Sequence, residues 1–372
     1  MKKVLFVAHV DSHIRHFHIP YLKFFKEKGY EVHVATSNDE NEQFPFCDKK
    51  HIVNFERSPF KLNNIKAIKQ MKELLNEESY DIVHCHTPMG GVVTRLACKK
   101  ARNNGTKILY TAHGFHFYKG APLLNWLVYY PVEKYLSKYT DILITINHED
   151  YKLASTKLKA NKVEFVHGVG VDDKKFSNGC LPNDVKNKLE LELNIRESDF
   201  KIVYVAELIK RKNQLMLIDA MRDIVKKNNN IKVYFVGSGA LRDYYNEKVK
   251  IFGLNNNIFF TGYRRDVCNL LKTMDLCVAT SLQEGLPINI VEAELSGLPV
   301  LAKNSRGHNE VIKNGENGFL FNNKDELIEK IITLSSNKNL LNELKENARN
   351  SVKIFSLENA YKEQVDIYKR IL

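Results

Sequence analysis

Two glutamates eight residues apart, Glu284 and Glu292, flank a turn and the start of a helix in the segment TSLQEGLPINIVEAELSGLPV at 280–300. Carboxylate oxygens accept hydrogen bonds from hydroxyl groups, so one glutamate could hold a sugar and the other a ribose. Gly285 lets a ligand approach the backbone, and Pro287 favours the first position of a helix, whose N-terminus attracts anions. The segment predicts a pocket for a phosphorylated sugar. The alternative is that both glutamates are surface acids near a helix start.

A basic pair, Arg211 and Lys212, follows the strand pattern of VAELIKRKNQ at 205–214. Two cations beside a diphosphate would stabilise the charge that develops as the diphosphate leaves. The alternative is a solvated helix start, which is a common setting for a run of charges. Gly237 and Ser238 follow another strand pattern, although a G-x-G by itself is only a weak signal for a phosphate-binding loop.

The loop HVDSHIRHFHIP at 9–20 follows the first strand pattern and contains Asp11, Ser12, His13 and His16. We expect these four residues to contact an acceptor or a diphosphate. Histidines beside an aspartate could also bind a metal ion, but their spacing matches no standard metal site. The chain also lacks the Asp-X-Asp pattern that would bridge a diphosphate through a divalent ion. The sequence therefore predicts no metal cofactor.

Short runs of β-branched residues alternate with helical patterns along the chain of 372 residues. This alternation predicts an α/β protein with two doubly wound, Rossmann-like parallel-sheet domains that face each other across a cleft. A stretch of Asn, Gly, Pro and Asp at 177–184 divides them, which gives domains at 1–176 and 177–355. We expect the amphipathic helix at 356–372 to pack back on the first domain. His113 lies at the end of a strand pattern. A lone histidine is more often structural than functional. The end of a parallel strand should, however, place this side chain at the cleft, which favours a functional role.

The pattern EGLP-x4-EA strongly resembles the retaining glycosyltransferases of family 4, which have the GT-B fold. The resemblance extends over nearly the whole chain. It implies that Glu284 and Glu292 contact hydroxyl groups of the donor sugar and ribose. It also implies catalytic roles for His113 against the donor sugar, for Lys212 at the diphosphate and for Glu284. The donor-binding residues that it implies are Arg211, Gly237, Ser238, Tyr263, Arg264, Gly285, Leu286, Pro287, Ile288 and Glu292.

The same resemblance implies the substrates and the stereochemistry. It implies transfer with retention at the anomeric carbon, and the first loop is similar to the branch that builds exopolysaccharide, capsule or lipid-linked glycans. We therefore expect a uridine-diphosphate-linked hexose or N-acetylhexosamine as donor and a polyprenyl-diphosphate-linked sugar as acceptor. The chain has Glu207 where the family has an arginine. This difference favours one alternative, a non-catalytic partner subunit that binds sugar nucleotides. A second alternative is a sugar-nucleotide epimerase of the same fold.

The formal net charge of +12 comes from basic residues scattered over many helical patterns. Nucleic-acid binding would require a basic cluster with interleaved aromatic residues, so we expect no nucleic-acid partner. An anionic membrane surface would account for the charge, and so would a lysine-rich composition without functional meaning. Residues 115–135 carry the only tryptophan, Trp126, among leucines and tyrosines, which is typical either of an interfacial helix or of a core helix. We expect a cytoplasmic protein bound peripherally to the inner face of the cell membrane.

Overall fold

The computed structural model describes residues 1–37, 43–177, 179 and 181–372, so Asn178 and Cys180 of the predicted linker lie outside the described residues. The chain forms two compact units. The first comprises Met1–Gly170 and Glu358–Leu372, and the second comprises Val171–Leu357.

The first unit is built on a parallel sheet of seven strands in the order β3-β2-β1-β4-β5-β6-β7. Its strands are β1 (Lys3–Val7), β2 (Glu31–Thr36), β3 (Lys49–Ile52), β4 (Ile82–His86), β5 (Lys107–Ala112), β6 (Ile142–Thr145) and β7 (Lys162–Phe165). The helices before the boundary are α1 (Asp11–Phe17), α2 (Ile19–Glu27), α3 (Asn63–Glu77), α4 (Pro88–Ala97), α5 (Lys99–Asn103), α6 (Leu123–Ser137) and α7 (His148–Lys157). The central strands β1, β4 and β5 are buried on both faces, which explains why most of their residues are apolar.

The second unit is built on a parallel sheet of six strands in the order β10-β9-β8-β11-β12-β13. Its strands are β8 (Phe200–Val205), β9 (Ile231–Val236), β10 (Ile258–Gly262), β11 (Leu276–Ala279), β12 (Val300–Lys303) and β13 (Gly318–Phe321). Its helices are α8 (Asp173–Ser177), α9 (Asn183–Glu192), α10 (Gln214–Lys227), α11 (Arg242–Ile251), α12 (Val267–Leu271), α13 (Ile288–Leu295), α14 (Arg306–Val311), α15 (Lys324–Ser336) and α16 (Lys338–Ser351). Two such units of parallel sheet confirm the predicted fold class.

The boundary between the units falls after Gly170, whereas the sequence predicted it after residue 176. The backbone explains the difference. Val171 donates a hydrogen bond to the Phe355 carbonyl (2.9 Å) and accepts one from Leu357 (2.8 Å), which ties it to the second unit. Phe176 on α8 is buried in the second core.

A last helix, α17 (Leu357–Lys369), belongs to the first unit from Glu358 onward. Its Tyr368 is fully buried and lies among aromatic residues of that unit, including Phe25 at 4.9 Å between ring centroids. The Tyr368 hydroxyl lies 2.7 Å from Nδ1 of His84, on the central strand β4. Among the described residues, no helix combines the length and the apolar character that crossing a bilayer requires.

Candidate functional site

The central feature of the second unit is a buried carboxylate held by two cations. The Glu284 side chain is 9% exposed, and its Oε1 accepts a hydrogen bond from Nζ of Lys212 at 2.6 Å. Arg211 donates to Oε2 of the same carboxylate at 2.9 Å and to the Gln283 carbonyl at 2.7 Å. The structure therefore brings together three residues from two predicted motifs, which lie about 70 positions apart in the sequence.

The basic pair keeps its place because its backbone is fixed at the ends of two neighbouring strands. Lys210–Lys212 form a single 3₁₀ turn after β8, and the Tyr204 hydroxyl donates a hydrogen bond to the Lys212 carbonyl. Thr280, just after β11, donates to the Asn213 carbonyl at 2.7 Å. Parallel strands place their carboxyl ends at one edge of the sheet, which is why these segments meet. Sequence reasoning missed Tyr204 and Thr280 because they read as ordinary strand residues.

The electrostatics of the carboxylate follow from these contacts. Burial raises the pKa of the Glu284 carboxyl, but the charges of Lys212 and Arg211 and the hydrogen bond from Lys212 outweigh it and lower the pKa below 4.5. Glu284 is therefore ionised at neutral pH. The Arg211 side chain is 44% exposed, whereas the Lys212 side chain is 14% exposed. Arg211 is therefore accessible to a ligand that binds from solvent.

The second glutamate has the opposite character. Glu292 lies on α13, and burial raises the pKa of its carboxyl to about 7, with a smaller opposing effect of the Lys175 charge. The helix begins at Ile288 with Pro287 as its capping residue, one position later than predicted. The N–H groups of Ile290 and Val291 bond to the Pro287 carbonyl, so the donors at the very start of α13 are those of Ile288 and Asn289. The N-terminus of α13, where an anion could bind, lies between the two glutamates in the sequence.

Close backbone contacts explain two of the glycines near the site. A Cβ atom on Gly237 would lie 2.2 Å from the Ala206 carbonyl oxygen, so only glycine allows the loop after β9 to pack on the loop after β8. A Cβ atom on Gly307, in the first turn of α14, would lie 2.6 Å from Cβ of Glu284. Ser238 follows Gly237 and is exposed, as a ligand-facing residue should be. Gly307 is a site residue that the sequence did not reveal.

The loop after β10 gives different results for its two predicted residues. The Tyr263 side chain is largely exposed, at 76%, and is free to contact a nucleotide base. Arg264 instead forms ion pairs with Asp266 at 2.6 Å and with Glu192 at 2.5 Å. Those carboxylates raise the pKa of the guanidinium. The contacts hold the Arg264 guanidinium against two carboxylates of this unit, and its predicted donor-binding role stays a prediction.

The predicted acceptor residues lie in the first unit, on and around α1. Ser12 and His16 are exposed, and Nδ1 of His16 lies 2.6 Å from the Ser12 carbonyl oxygen. Asp11 is only 1% exposed; it accepts a hydrogen bond from the Thr36 hydroxyl and forms an ion pair with Lys50 at 2.7 Å. That burial argues against a direct contact of Asp11 with an acceptor, because its charge is already paired inside the unit.

His113 follows β5 and makes close ring contact with His13, at 4.8 Å between centroids. Burial lowers the pKa of His113 to about 4 and that of His13 to about 2, so both rings are neutral at pH 7. Two further histidines, His18 and His86, lie beside them. His18 and His86 were not predicted as site residues, because His86 lies in the strand β4 and His18 matches no standard metal spacing.

Known proteins are similar to this chain over its full length. The family described as "Glycosyl transferases group 1" matches residues 185–351, and "Glycosyl transferase 4-like" matches residues 3–147. The putative glycosyltransferase EpsD of Bacillus subtilis is 41% identical, over 99% of this chain and 96% of that protein. A UDP-Gal:alpha-D-GlcNAc-diphosphoundecaprenol alpha-1,3-galactosyltransferase of Escherichia coli is 32% identical, over 79% of this chain and 78% of that protein.

Solved structures show the same fold at lower sequence identity. HepE of Anabaena, crystallised with UDP and glucose, superposes with a TM-score of 0.79 at 21% identity, covering all of both chains. The lipopolysaccharide glycosyltransferase WaaG gives a TM-score of 0.76 at 18% identity, over 98% of this chain and 99% of that chain. With two matched family regions and a relative at 41% identity over nearly its whole length, the chain belongs to the group 1 glycosyltransferases and has the GT-B fold.

Proposed function

We propose that this glycosyltransferase moves a hexose or an N-acetylhexosamine from a UDP-sugar to a polyprenyl-diphosphate-linked glycan during the synthesis of a surface polysaccharide. The observation that carries the proposal is the pair of cations, Lys212 and Arg211, held against Glu284 close to the turn that begins α13. A nucleotide diphosphate is the ligand that matches such a site, because it offers anionic oxygens to the cations and hydroxyl groups to the carboxylate.

The proposed chemistry uses these groups without a metal ion at the diphosphate. Lys212, Arg211 and the first-turn amides of α13 stabilise the negative charge that grows on the departing diphosphate. The bond between the anomeric carbon and the diphosphate oxygen breaks, and the acceptor oxygen bonds to the same face of that carbon. The released diphosphate oxygen takes the acceptor's proton. Glu284 and Glu292 hold hydroxyl groups of the sugar and ribose, and the loops at Gly237, Ser238 and Tyr263 hold the nucleotide.

Relatives support the choice of donor and acceptor. The galactosyltransferase at 32% identity is named for a UDP-sugar donor and a diphosphoundecaprenol acceptor. A second relative, at 23% identity from Campylobacter jejuni, is an N-acetylgalactosaminyltransferase named for a diphospho-undecaprenol acceptor. We place Ser12, His13 and His16 on the acceptor side and His113 near the transferred sugar, as the family resemblance implies.

A lipid-linked acceptor requires the enzyme to work at a membrane surface, and α6 supplies a suitable face. Leu123, Leu124 and Leu127 are 73%, 68% and 65% exposed at its start. Lys134 and Lys138 follow at helical spacing and are also exposed. Leucines beside lysines on one helix are typical of segments that lie in the interface of anionic membranes. We therefore propose that the enzyme acts on the inner face of the cell membrane.

The first test is nucleotide release by purified protein from a panel of UDP- and GDP-sugars, with and without a polyprenyl-diphosphate-sugar acceptor and without added Mg²⁺ or Mn²⁺. We expect one UDP-sugar to give acceptor-stimulated UDP release. Glu284→Ala should lower this rate by at least about a hundredfold, because it removes a group that contacts the transferred sugar. Glu329→Ala, an exposed glutamate of the same unit, is the matched control.

Other outcomes of this test point to other functions. Donor binding without release from any sugar nucleotide would favour the non-catalytic subunit, for which the exposed Glu207 in place of the family arginine is the specific observation. Conversion of the donor sugar with the nucleotide still attached would indicate an epimerase. A strict requirement for Mg²⁺ or Mn²⁺ would contradict the proposed metal-free transfer.

A further inference from the structure

Four histidines of the first unit converge at the carboxyl edge of its sheet. His13 lies on α1, His18 directly follows it, His86 ends β4 and His113 follows β5. One nitrogen from each of the four rings lies within 4.8 Å of the corresponding nitrogen of every other ring. Their closest ring pair, His18 and His86, has centroids 3.8 Å apart.

Six of the eight nitrogens of these rings are buried and lack hydrogen-bond partners among the described residues. Both ring nitrogens of His18 and of His86 are unpartnered, as is Nε2 of His13 and of His113. Buried polar atoms normally have a partner, and a missing one points to a bound water or ion. His18 and His86 are 3% and 1% exposed, so bulk solvent does not supply the partner.

Three of the four rings, those of His18, His86 and His113, also border a small, partly open space. A cavity of ≈ 10 Å³ is lined by His18, His84, His86 and His113 together with Gln364 and Tyr368. A space of this size is close to the minimum that one water-sized particle occupies. The space beside these rings is therefore large enough for a single atom or ion.

We propose that His13, His18, His86 and His113 bind one divalent transition-metal ion of the zinc type. Neutral imidazole nitrogen is a preferred ligand of such ions, and four ligands complete the tetrahedral coordination of zinc. Ligating nitrogens in tetrahedral coordination at about 2.1 Å lie about 3.4 Å apart, so rings whose nitrogens lie within 4.8 Å of one another must close by up to about 1.4 Å.

A second histidine group gives the contrast. His33, His51 and Glu78 also lie within ligating distance of one another. However, the ring nitrogens of His33 already bond to the Tyr80 hydroxyl at 2.7 Å and to Glu31 at 2.8 Å. That group needs no ion to satisfy its polar atoms, whereas the four-histidine site does.

The ion would position a residue of the proposed transfer site, and this part of the inference rests on the proposed function. A metal bound at Nε2 of His113 keeps the ring proton on Nδ1, where it can be donated to a hydroxyl group. The ion itself stays within the first unit and does not replace Lys212 at the diphosphate. The site therefore differs from the Mg²⁺ or Mn²⁺ sites that bridge a diphosphate through carboxylates.

The test measures metal binding directly and does not depend on activity. Protein purified without a histidine tag is dialysed against EDTA and titrated with Zn²⁺ in competition with a chromophoric chelator, and with Co²⁺ followed by visible absorption. We expect one ion per chain and an intense Co²⁺ spectrum of tetrahedral type. His18→Ala and His86→Ala should weaken Zn²⁺ binding at least about tenfold. His148→Ala, an exposed histidine outside the cluster, should leave binding unchanged.

Two results would overturn the proposal. The first is the absence of stoichiometric Zn²⁺ binding by the unaltered chain, which would mean that water fills the cavity. The second is an equal loss of binding in His148→Ala, which would mean that surface histidines bind the metal. If a buried variant fails to fold, His113→Ala, at a position that is only half-buried, gives the same comparison. Sugar transfer can fail in every assay while Zn²⁺ binding succeeds, so the two proposals are tested separately.

Discussion

At the scale of single residues, the two glutamates of the donor motif are chemically different although the sequence treats them alike. Glu284 is ionised because two cations contact it, and Glu292 has a raised pKa because burial dominates. The sequence could predict their type and their place around the helix start. It could not predict this difference, because burial and the Lys212 contact depend on segments far away in the chain.

The raised pKa of Glu292 makes the stability of the ligand-free protein depend on pH. The folded protein binds this proton more tightly than the unfolded chain, whose pKa is near 4.5. Stability is therefore lost as the pH rises from about 4.5 through about 7. We expect Glu292→Gln to lack this loss and to exceed the unaltered protein in stability above the window by at most about 3 kcal/mol. Calorimetric melting between pH 5 and pH 8 measures the stability of both proteins. A stability difference between them that does not widen as the pH rises would contradict the raised pKa of Glu292.

At the scale of elements, the strand ends that carry the site could be predicted well, and edge features could not. The buried strands β1 and β5 appear as largely apolar runs, because helices cover both faces of a parallel sheet. β3 has the sequence KKHI and escaped prediction, because an edge strand carries charged residues that read as a loop. The start of α13 was misplaced by one residue, since proline fits the capping position as well as the first helical one.

The approach of α14 to the donor turn depends on one glycine. Gly307→Ala places a methyl group 2.6 Å from Cβ and 2.8 Å from the carbonyl oxygen of Glu284, so the turn must move. We expect UDP-sugar affinity to fall at least about tenfold, because overpacking of this kind costs about 1–3 kcal/mol. Isothermal titration with the donor tests this, with Asn309→Ala on the exposed side of the same helix as control. Unchanged affinity would show that the turn position does not matter for donor binding.

The exposed start of α6 gives a prediction about membranes. Replacing Leu123, Leu124 and Leu127 by serine should weaken binding to anionic vesicles at low salt at least about tenfold, because the apolar contact with the interface is lost. Co-sedimentation measures the change. The matched control replaces Leu191 and Ile251, which are 85% and 64% exposed in the second unit. Equal weakening by both sets of substitutions, or no vesicle binding at all, would exclude α6 as the membrane contact.

At the scale of the whole molecule, the two units have separate cores, but only the first is made from two parts of the chain. The amphipathic pattern at 356–372 predicted the helix. Its aromatic contacts with Phe6, Phe24 and Phe25 depend on how the first sheet is assembled, which no local pattern reveals.

The helix α17 should be essential to the stability of the first unit. Tyr368→Ala removes a fully buried ring, which costs about 3–5 kcal/mol, whereas Tyr368→Phe removes only the hydroxyl that faces His84, at about 1 kcal/mol. Trp126 is the only tryptophan and lies in the first unit, so its fluorescence during urea unfolding reports on that unit alone. Lys369→Ala is the exposed control, and a Tyr368→Ala transition that coincides with the control would contradict the expectation.

The divided first unit also sets an order of events during synthesis. A ribosome makes residues 1–170 first and residues 358–372 only after the entire second unit. The unit that is translated first is therefore the one whose core is completed last, and the binding place of α17 on β4 stays uncovered until then. Chaperones that recognise exposed apolar surface on nascent chains should accordingly stay on the first unit until the final helix has been made.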